Sequence, residues 1–277
     1  MEKTGLVLEG GGMRCIFTAG VLDYFMDNGI EFDYVAAVSC GAANAACYLS
    51  RQRGREKSCL TDMLDKYKYI SLKNWVTKKN LIDYKMLFED LSYEGEIPFD
   101  FDTYFGNPTE CEMVTSNLLT GEAMYLDERH DKERLTKICH ASCTIPVISQ
   151  TMFVDGIPML DGGICDPIPI HRAIEKGCTR NVVVLTRNSG RRSPYTNLPI
   201  PPFVYGKYPN IRPKMRTRGR LYNEQMEFIE QKEKAGEILV IQPLKKLKVS
   251  AVERNTKKLE ELYREGYECA ERIKEFL

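Results

Sequence analysis

Apolar residues along this chain fall into short blocks that alternate between two periods. Leu6, Val7 and Leu8 form a continuous run that ends at a glycine turn. From Phe17 the spacing becomes helical, with Val21, Tyr24 and Phe25 on one stripe, and Asn28-Gly29 supplies the stop. The unit then repeats: "FDYVAAV" reads as a short buried strand, and "CGAANAACYLS" as a helix of small residues able to lie close to a sheet. Two strand–turn–helix units in succession predict a parallel α/β sheet.

From about Arg51 to Gly106 the chain is charged and helix-rich, with Tyr67, Trp75 and Phe88 as expected packing anchors. "CEMVTSNLLTGEAMYL" predicts two strands joined near Thr120-Gly121, followed by a helix around Asp131–Ala141. A short helix "HRAIEKG" and strands at "NVVVLT" and "EILVIQP" come next. The segment Thr256–Leu277 reads as a charged amphipathic helix whose stripe of Leu259, Leu262, Gly266, Ala270 and Ile273 is a core face. One α/β domain over residues 1–277 is expected, without internal repeats.

One segment breaks this rhythm. Between Arg187 and Arg220 lie nine basic residues, six prolines and no Asp or Glu, although Lys+Arg and Asp+Glu balance at 39 each over the whole chain. An exposed loop or lid is expected over 187–220. Its charge has two open readings: pairing with acids of the same protein, or peripheral contact with an anionic membrane helped by Tyr195, Phe203, Tyr205 and Tyr208. Nucleic acid is not expected, since the chain is neutral and carries no motif for it. The start "MEKTGLVLEGGGMR" has no basic-then-apolar leader, which leads to the expectation of a cytoplasmic protein, at most peripheral at the membrane. Ten cysteines without a C-x-x-C pair, and only three histidines, predict reduced core thiols and no metal site.

Three glycine-bearing turns are the candidate chemistry. Gly10-Gly11-Gly12-Met13-Arg14 follows a strand and opens a helix, so its backbone N–H groups can converge on an anion. It lacks the Gly-Lys-Ser/Thr of a phosphate loop, and Cys15 stands where a dinucleotide fingerprint needs its last glycine. Ala37-Val38-Ser39-Cys40-Gly41 is one methyl away from the G-x-S-x-G elbow, which holds a serine on a tight strand-to-helix turn. Asp161-Gly162-Gly163 puts a carboxylate at a strand end. Each alone has a bland reading: a strand–helix turn, a helix N-cap, an ordinary Asp-Gly turn.

In that order the three turns resemble the patatin-like phospholipase family, with its G-G-G-x-R/K oxyanion turn, G-x-S-x-G nucleophile and D-G-G/A aspartate. "TSNLLTG" (Thr115–Gly121) and "ASCTIP" (Ala141–Pro146) are similar to the family's intervening segments, and the tail from about Glu237 to a bacterial, single-domain branch. The resemblance covers roughly Gly5 to Pro169. It implies a three-layer α/β sandwich with a central, mostly parallel sheet flanked by helices. It puts Ser39 at the nucleophile, Asp161 at the base, and Gly10, Gly11 and Gly12 with Met13 and Arg14 at the oxyanion turn, Arg14 being its basic position. Ala37 and Cys15 depart from it, each a small residue in place of glycine.

The activity so implied is hydrolysis of phospholipid or lysophospholipid esters through an acyl-serine, with neither metal nor organic cofactor. Two alternatives stay open: an acyltransferase with the same dyad, and a non-catalytic lipid-binding or regulatory protein with a compromised elbow. His171 reads as a packing or surface residue, Ser142 as a helix-end residue with lining of the site as its second reading, Cys40 as a core thiol, Asp155 as a lesser rival of Asp161, and Asp166, before a proline, as structural. Oligomeric state is not indicated.

Overall fold

In the computed structural model, which describes every residue except 1, 196, 198, 199 and 277, eight strands among the described residues form one mixed sheet. They are β1 (Thr4–Leu8), β2 (Tyr34–Val38), β3 (Glu110–Asn117), β4 (Ala123–Leu126), β5 (Met152–Val154), β6 (Ile157–Asp161), β7 (Arg180–Val184) and β8 (Ile238–Ile241). The run β3-β2-β1-β7-β8 is parallel throughout. β4 and β6 pair antiparallel to β3, and β5 antiparallel to β6.

The helices are α1 (Ile16–Asp27), α2 (Cys40–Leu49), α3 (Arg55–Leu60), α4 (Asp62–Tyr67), α5 (Leu72–Lys78), α6 (Leu91–Tyr93), α7 (Phe101–Gly106), α8 (Lys132–Ser142), α9 (Ile170–Glu175), α10 (Ile211–Lys234) and α11 (Thr256–Cys269). Strand side chains alternate between faces, and the core divides accordingly. Leu6, Leu8, Val35 and Ala37 pack with α1, α2, α8 and α11, while Val7, Tyr34, Ala36 and Val183 pack with α9 and α10. The result is the expected three layers. Leu6 to Leu8 and Val182 to Val184 are buried on both sides, which is why these strands read as unbroken apolar runs.

The loop or lid expected over 187–220 requires correction. Residues 196, 198 and 199 lie outside the described residues; among the described ones irregular chain reaches only to Asn210, and α10 then runs for 24 residues. Pro213 sits in its first turn, where a missing N–H forfeits no helical bond. Ile211, Met215, Gly219, Tyr222, Met226 and Ile229 bury one stripe at helical spacing, which the interleaved arginines conceal in the sequence. Arg192 pairs with Glu230, Lys214 with Glu122 and Arg220 with Glu224, so several of the segment's charges are met internally. The aromatic anchors also divide: Phe88 packs against the core, but Tyr67 and Trp75 stay exposed.

The C-terminal helix α11 continues as a 3-10 turn over Ala270–Glu275, and residue 277 lies outside the described residues. It lies across α1 at very short range. A Cβ built at Gly266 would come 2.1 Å from the carbonyl oxygen of Phe17, and one at Gly20 2.1 Å from that of Tyr263. Tyr263 donates to the buried Asp23 carboxylate on α1 at 2.6 Å, fixing the register of the pair. Gly266→Val is therefore expected to force the helices apart, at a cost of about 1–3 kcal/mol or more. A denaturant midpoint equal to that of the unmodified chain would contradict this close approach.

Candidate active site

Three strands share β3. β2 pairs with residues 110–114, β4 with 113–116 and β6 with 115–117. Because β4 overlaps both of the others, it occupies one edge, and β2 and β6 follow each other along the opposite one. Val38 ends β2 opposite Val114, and Asp161 ends β6 opposite Thr115. The two strands arrive head-on, and the groups that leave them meet across one peptide step. Ser39 Oγ donates to Asp161 Oδ2 at 2.6 Å.

Ser39 has φ 58° and ψ −136°, a conformation a side-chain-bearing residue adopts only when its surroundings impose it. Several contacts do so. Its N–H donates to Ser142 Oγ at 2.8 Å, and Ser142 Oγ in turn donates to the Val114 carbonyl at 2.7 Å. On the far side, the Ser39 carbonyl accepts the Ala42 N–H at the start of α2. Gly41 must lack a side chain, since a Cβ there would lie 2.9 Å from the carbonyl oxygens of both Leu8 and Glu9. Ala37 is different: its methyl is fully buried in the core beside Leu8 and Met113, so alanine fits at that position of the elbow. Ser142, read from sequence as a helix-end residue, is thus a brace for the serine turn. Its signal lay in the "ASCTIP" segment.

Asp161 is 9% exposed and fully used. Its N–H donates to the Thr144 carbonyl, its own carbonyl accepts the Ser116 hydroxyl at 2.8 Å, and Oδ1 accepts the Gly163 N–H at 2.8 Å. Burial pushes this carboxyl above the usual aspartate value. The Ser39 hydroxyl, the Arg218 guanidinium and the Gly163 N–H pull the other way. Arg218 comes from α10, and its Nε donates to the Gly163 carbonyl at 2.6 Å. Nothing local in the sequence marks it.

The glycine turn lies beside the serine. Gly12 has φ 57°, and Gly12, Met13 and Ser39 line one pocket. The N–H groups of Gly11 and Gly12 have no acceptor among the described residues. Met13 departs from the sequence expectation: its N–H donates to the Ala251 carbonyl at 3.0 Å, so it is already occupied. Arg14 departs as well. Its half-buried guanidinium lies beside Arg187, Glu9 and Tyr222, outside the lining of the serine pocket. Glu9 accepts both the N–H and the hydroxyl of Thr186, tying the turn to the end of β7.

The pocket that opens from Ser39 is walled by apolar side chains, among them Leu60, Tyr69, Leu87, Phe88 and Leu135, a lining suited to a hydrocarbon chain. Two charges interrupt it. Arg55 reaches the Ile97 carbonyl, Ser92 Oγ and Cys47 Sγ, and the buried Glu56 carboxylate takes the thiols of Cys40 and Cys47, each at 3.6 Å. Burial raises the Glu56 carboxyl and pushes the Cys47 thiol up to about 12. Cys40, one residue from Ser39, is raised too, first by its contact with Cys15 and then by burial, which leaves no nucleophilic thiolate there.

No histidine among the described residues bonds to Ser39 or Asp161. His140 is stacked on Tyr84 and Phe88 and pushed down to about 4 by burial, and His171 lies on Phe228. Asp155 pairs with Arg134, while Asp166 accepts from Tyr125 and Gln225. All ten cysteines are free thiols, and no metal-binding cluster occurs among the described residues.

Comparison with known proteins points the same way. A family model described as patatin-like phospholipase matches residues 6–174, and another, described only as a domain of unknown function, matches residues 208–277. The uncharacterized protein YjjU of Escherichia coli (strain K12) is 31% identical over 197 residues, 66% of this chain and 52% of that protein. The chain thus spans about half the length of this relative. The crystal structure of VipD from Legionella pneumophila matches with a TM-score of 0.51 at 12% identity, covering 99% of this chain and 67% of that one. This likeness concerns the fold alone.

Ser142→Ala removes both hydrogen bonds at the junction of β2 and β6 and strands the buried Ser39 N–H and Val114 carbonyl. A loss of about 1–3 kcal/mol is expected in equilibrium unfolding. An unaltered unfolding curve would mean that the serine turn is held without this brace.

Proposed function

The chain belongs to the patatin-like phospholipase family, and on that premise we propose that it is a serine lipid acyl hydrolase with Ser39 as nucleophile and Asp161 as its base. The observation that carries the reading is the 2.6 Å hydrogen bond from the Ser39 hydroxyl to the Asp161 carboxylate, at a pocket that Gly12 of the glycine turn also lines. Phospholipid or lysophospholipid esters are the substrates, their acyl chain lying in the apolar pocket.

Ser39 Oγ attacks the ester carbonyl carbon while Asp161 Oδ2 takes its proton. The carbonyl oxygen becomes an oxyanion and receives the N–H groups of Gly11 and Gly12, an interaction that typically contributes about 3–4 kcal/mol per donor. Collapse breaks the ester C–O bond, and the departing alcohol takes the proton from Asp161. Water then attacks the acyl-serine, passing its proton to the same carboxylate. Release of the fatty acid returns a proton to Ser39. One carboxylate serves both half-reactions, so no histidine is needed.

An aspartate at its ordinary value of about 3.9 is a feeble base near neutral pH. Burial of Asp161 strengthens it, while the Ser39 hydroxyl, then Arg218 and the Gly163 N–H, favour its ionised form. The packed core around Ala37 supports a working elbow over the non-catalytic alternative.

Ser39→Ala and Asp161→Asn are each expected to lower kcat on a p-nitrophenyl ester by on the order of 10⁴-fold or more, with unfolding curves unchanged or nearly so. Residual turnover near the unmodified level in Ser39→Ala would exclude Ser39 as nucleophile. The ionised carboxylate is the active form, so kcat/KM should rise with pH through the raised value of Asp161, above the ordinary aspartate range. Arg218→Gln removes a positive charge that favours ionisation, so this acid limb should move to still higher pH. A limb that stays in place would dissociate Arg218 from the base.

A further inference from the structure

The sequence expected Trp75 to be a packing anchor; the structure leaves it outside. Helix α5 buries none of its residues. Leu72, Trp75 and Val76, at spacing i, i+3 and i+4, share one face, and Leu72 and Val76 are each 75% exposed. Trp75, on the same face, is 48% exposed, so a seven-residue helix leaves most of its apolar face in solvent and gains little stability from it.

The helix sits at the pocket. It is an excursion closed by the Ile70–Ile82 bridge and by the bond from Ser71 N–H to the Leu81 carbonyl. Ile82, one half of that bridge, and Tyr69, next to its other half, are pocket-wall residues. Leu81 N–H reaches the Ile148 carbonyl, and next to it Val147 holds φ 72°, a strained value for a β-branched residue, with its side chain in solvent. Val147 N–H is held by the Tyr205 hydroxyl, and nearby Phe203 is 84% exposed. A hydrogen-bonded chain of segments leading from the pocket wall therefore carries five exposed apolar side chains.

Charge completes the pattern. From Lys66 to Ile82 the chain has five lysines and no Asp or Glu. Lys66, Lys68 and Lys78 pair with Glu96, Asp65 and Asp83, whereas Lys73 and Lys79 have no carboxylate partner among the described residues. An apolar face flanked by lysines on long apolar stems matches the boundary between acyl chains and anionic headgroups.

We infer that α5, with the tips at Val147 and Phe203, docks the protein on an anionic lipid surface and brings the pocket mouth against it. This deepens the hydrolase reading and rests on it for the purpose of docking. The sequence segment first considered for membrane contact, 187–220, contributes only its Phe203 tip.

Trp75 is the chain's one tryptophan, so its emission reports on this face alone. The full-length Ser39→Ala protein is mixed with vesicles of phosphatidylcholine and phosphatidylglycerol in roughly equal amounts. Docking predicts a blue shift of emission, quenching by brominated acyl chains, and weakening with salt. Leu72→Glu/Val76→Glu in the same background should lower vesicle affinity by about tenfold or more. In the active protein the same pair should leave turnover of a soluble short-chain ester unchanged. Emission indifferent to vesicles, or undiminished binding by the double variant, overturns the proposal. So does a blue shift that follows protein concentration without lipid, which would assign the face to a second copy of the chain. Docking by Ser39→Ala with no lipid hydrolysis by the unmodified protein would sink the hydrolase reading and leave the docking face standing.

Discussion

The site depends on a shared edge. β3 accepts β2 up to Val114 and β6 from Thr115, so two strands running in opposite senses end against each other on consecutive residues. The separation of Ser39 and Asp161 is thus set by sheet register rather than by loops. A slip of one residue in either strand would turn its last side chain to the other face. The junction leaves the Val114 carbonyl without a strand partner, and Ser142 fills that vacancy while also holding the Ser39 N–H. One hydroxyl covers the weak point of the sheet and braces the strained residue beside it.

Opposed influences converge on Asp161. Withdrawal from water favours its protonated form; a hydroxyl, an amide and a guanidinium favour the charged one. A fully buried carboxylate without these partners would be expensive. The groups that offset that expense come from the serine turn, from its own turn and from α10, so the electrostatics of the site join distant parts of the chain. The apolar pocket extends the theme, since Glu56 lies within it with thiols as its donors.

Much of this was legible in the sequence, because it is local. The strand–turn–helix units, the two-faced core and the three turns all follow from short-range pattern. Ala37 reads as a defect beside the G-x-S-x-G motif, but its methyl occupies packed space between neighbouring strands, which no local pattern reports. The illegible features are long-range or masked. Arg218 is one arginine among several on a helix whose buried stripe is hidden by charge and by Pro213. Met13 was expected to offer its N–H, and only the folded chain brings the Ala251 carbonyl onto it. Trp75 looked like core because aromatic residues usually are; its helix buries none of its residues.

The bond between Met13 and Ala251 has a consequence for how the chain can be divided. The phospholipase model stops at residue 174, yet Ala251, Arg218 and the α11 surface under α1 all belong to the part matched by the domain of unknown function. Excised at that boundary, the first part would keep its serine and aspartate but lose the strut behind its glycine turn, the cation beside its carboxylate and the cover of its first helix. The Ser39–Asp161 arrangement is therefore not a detachable cassette: transplanting it onto another scaffold would require carrying the last seventy residues with it.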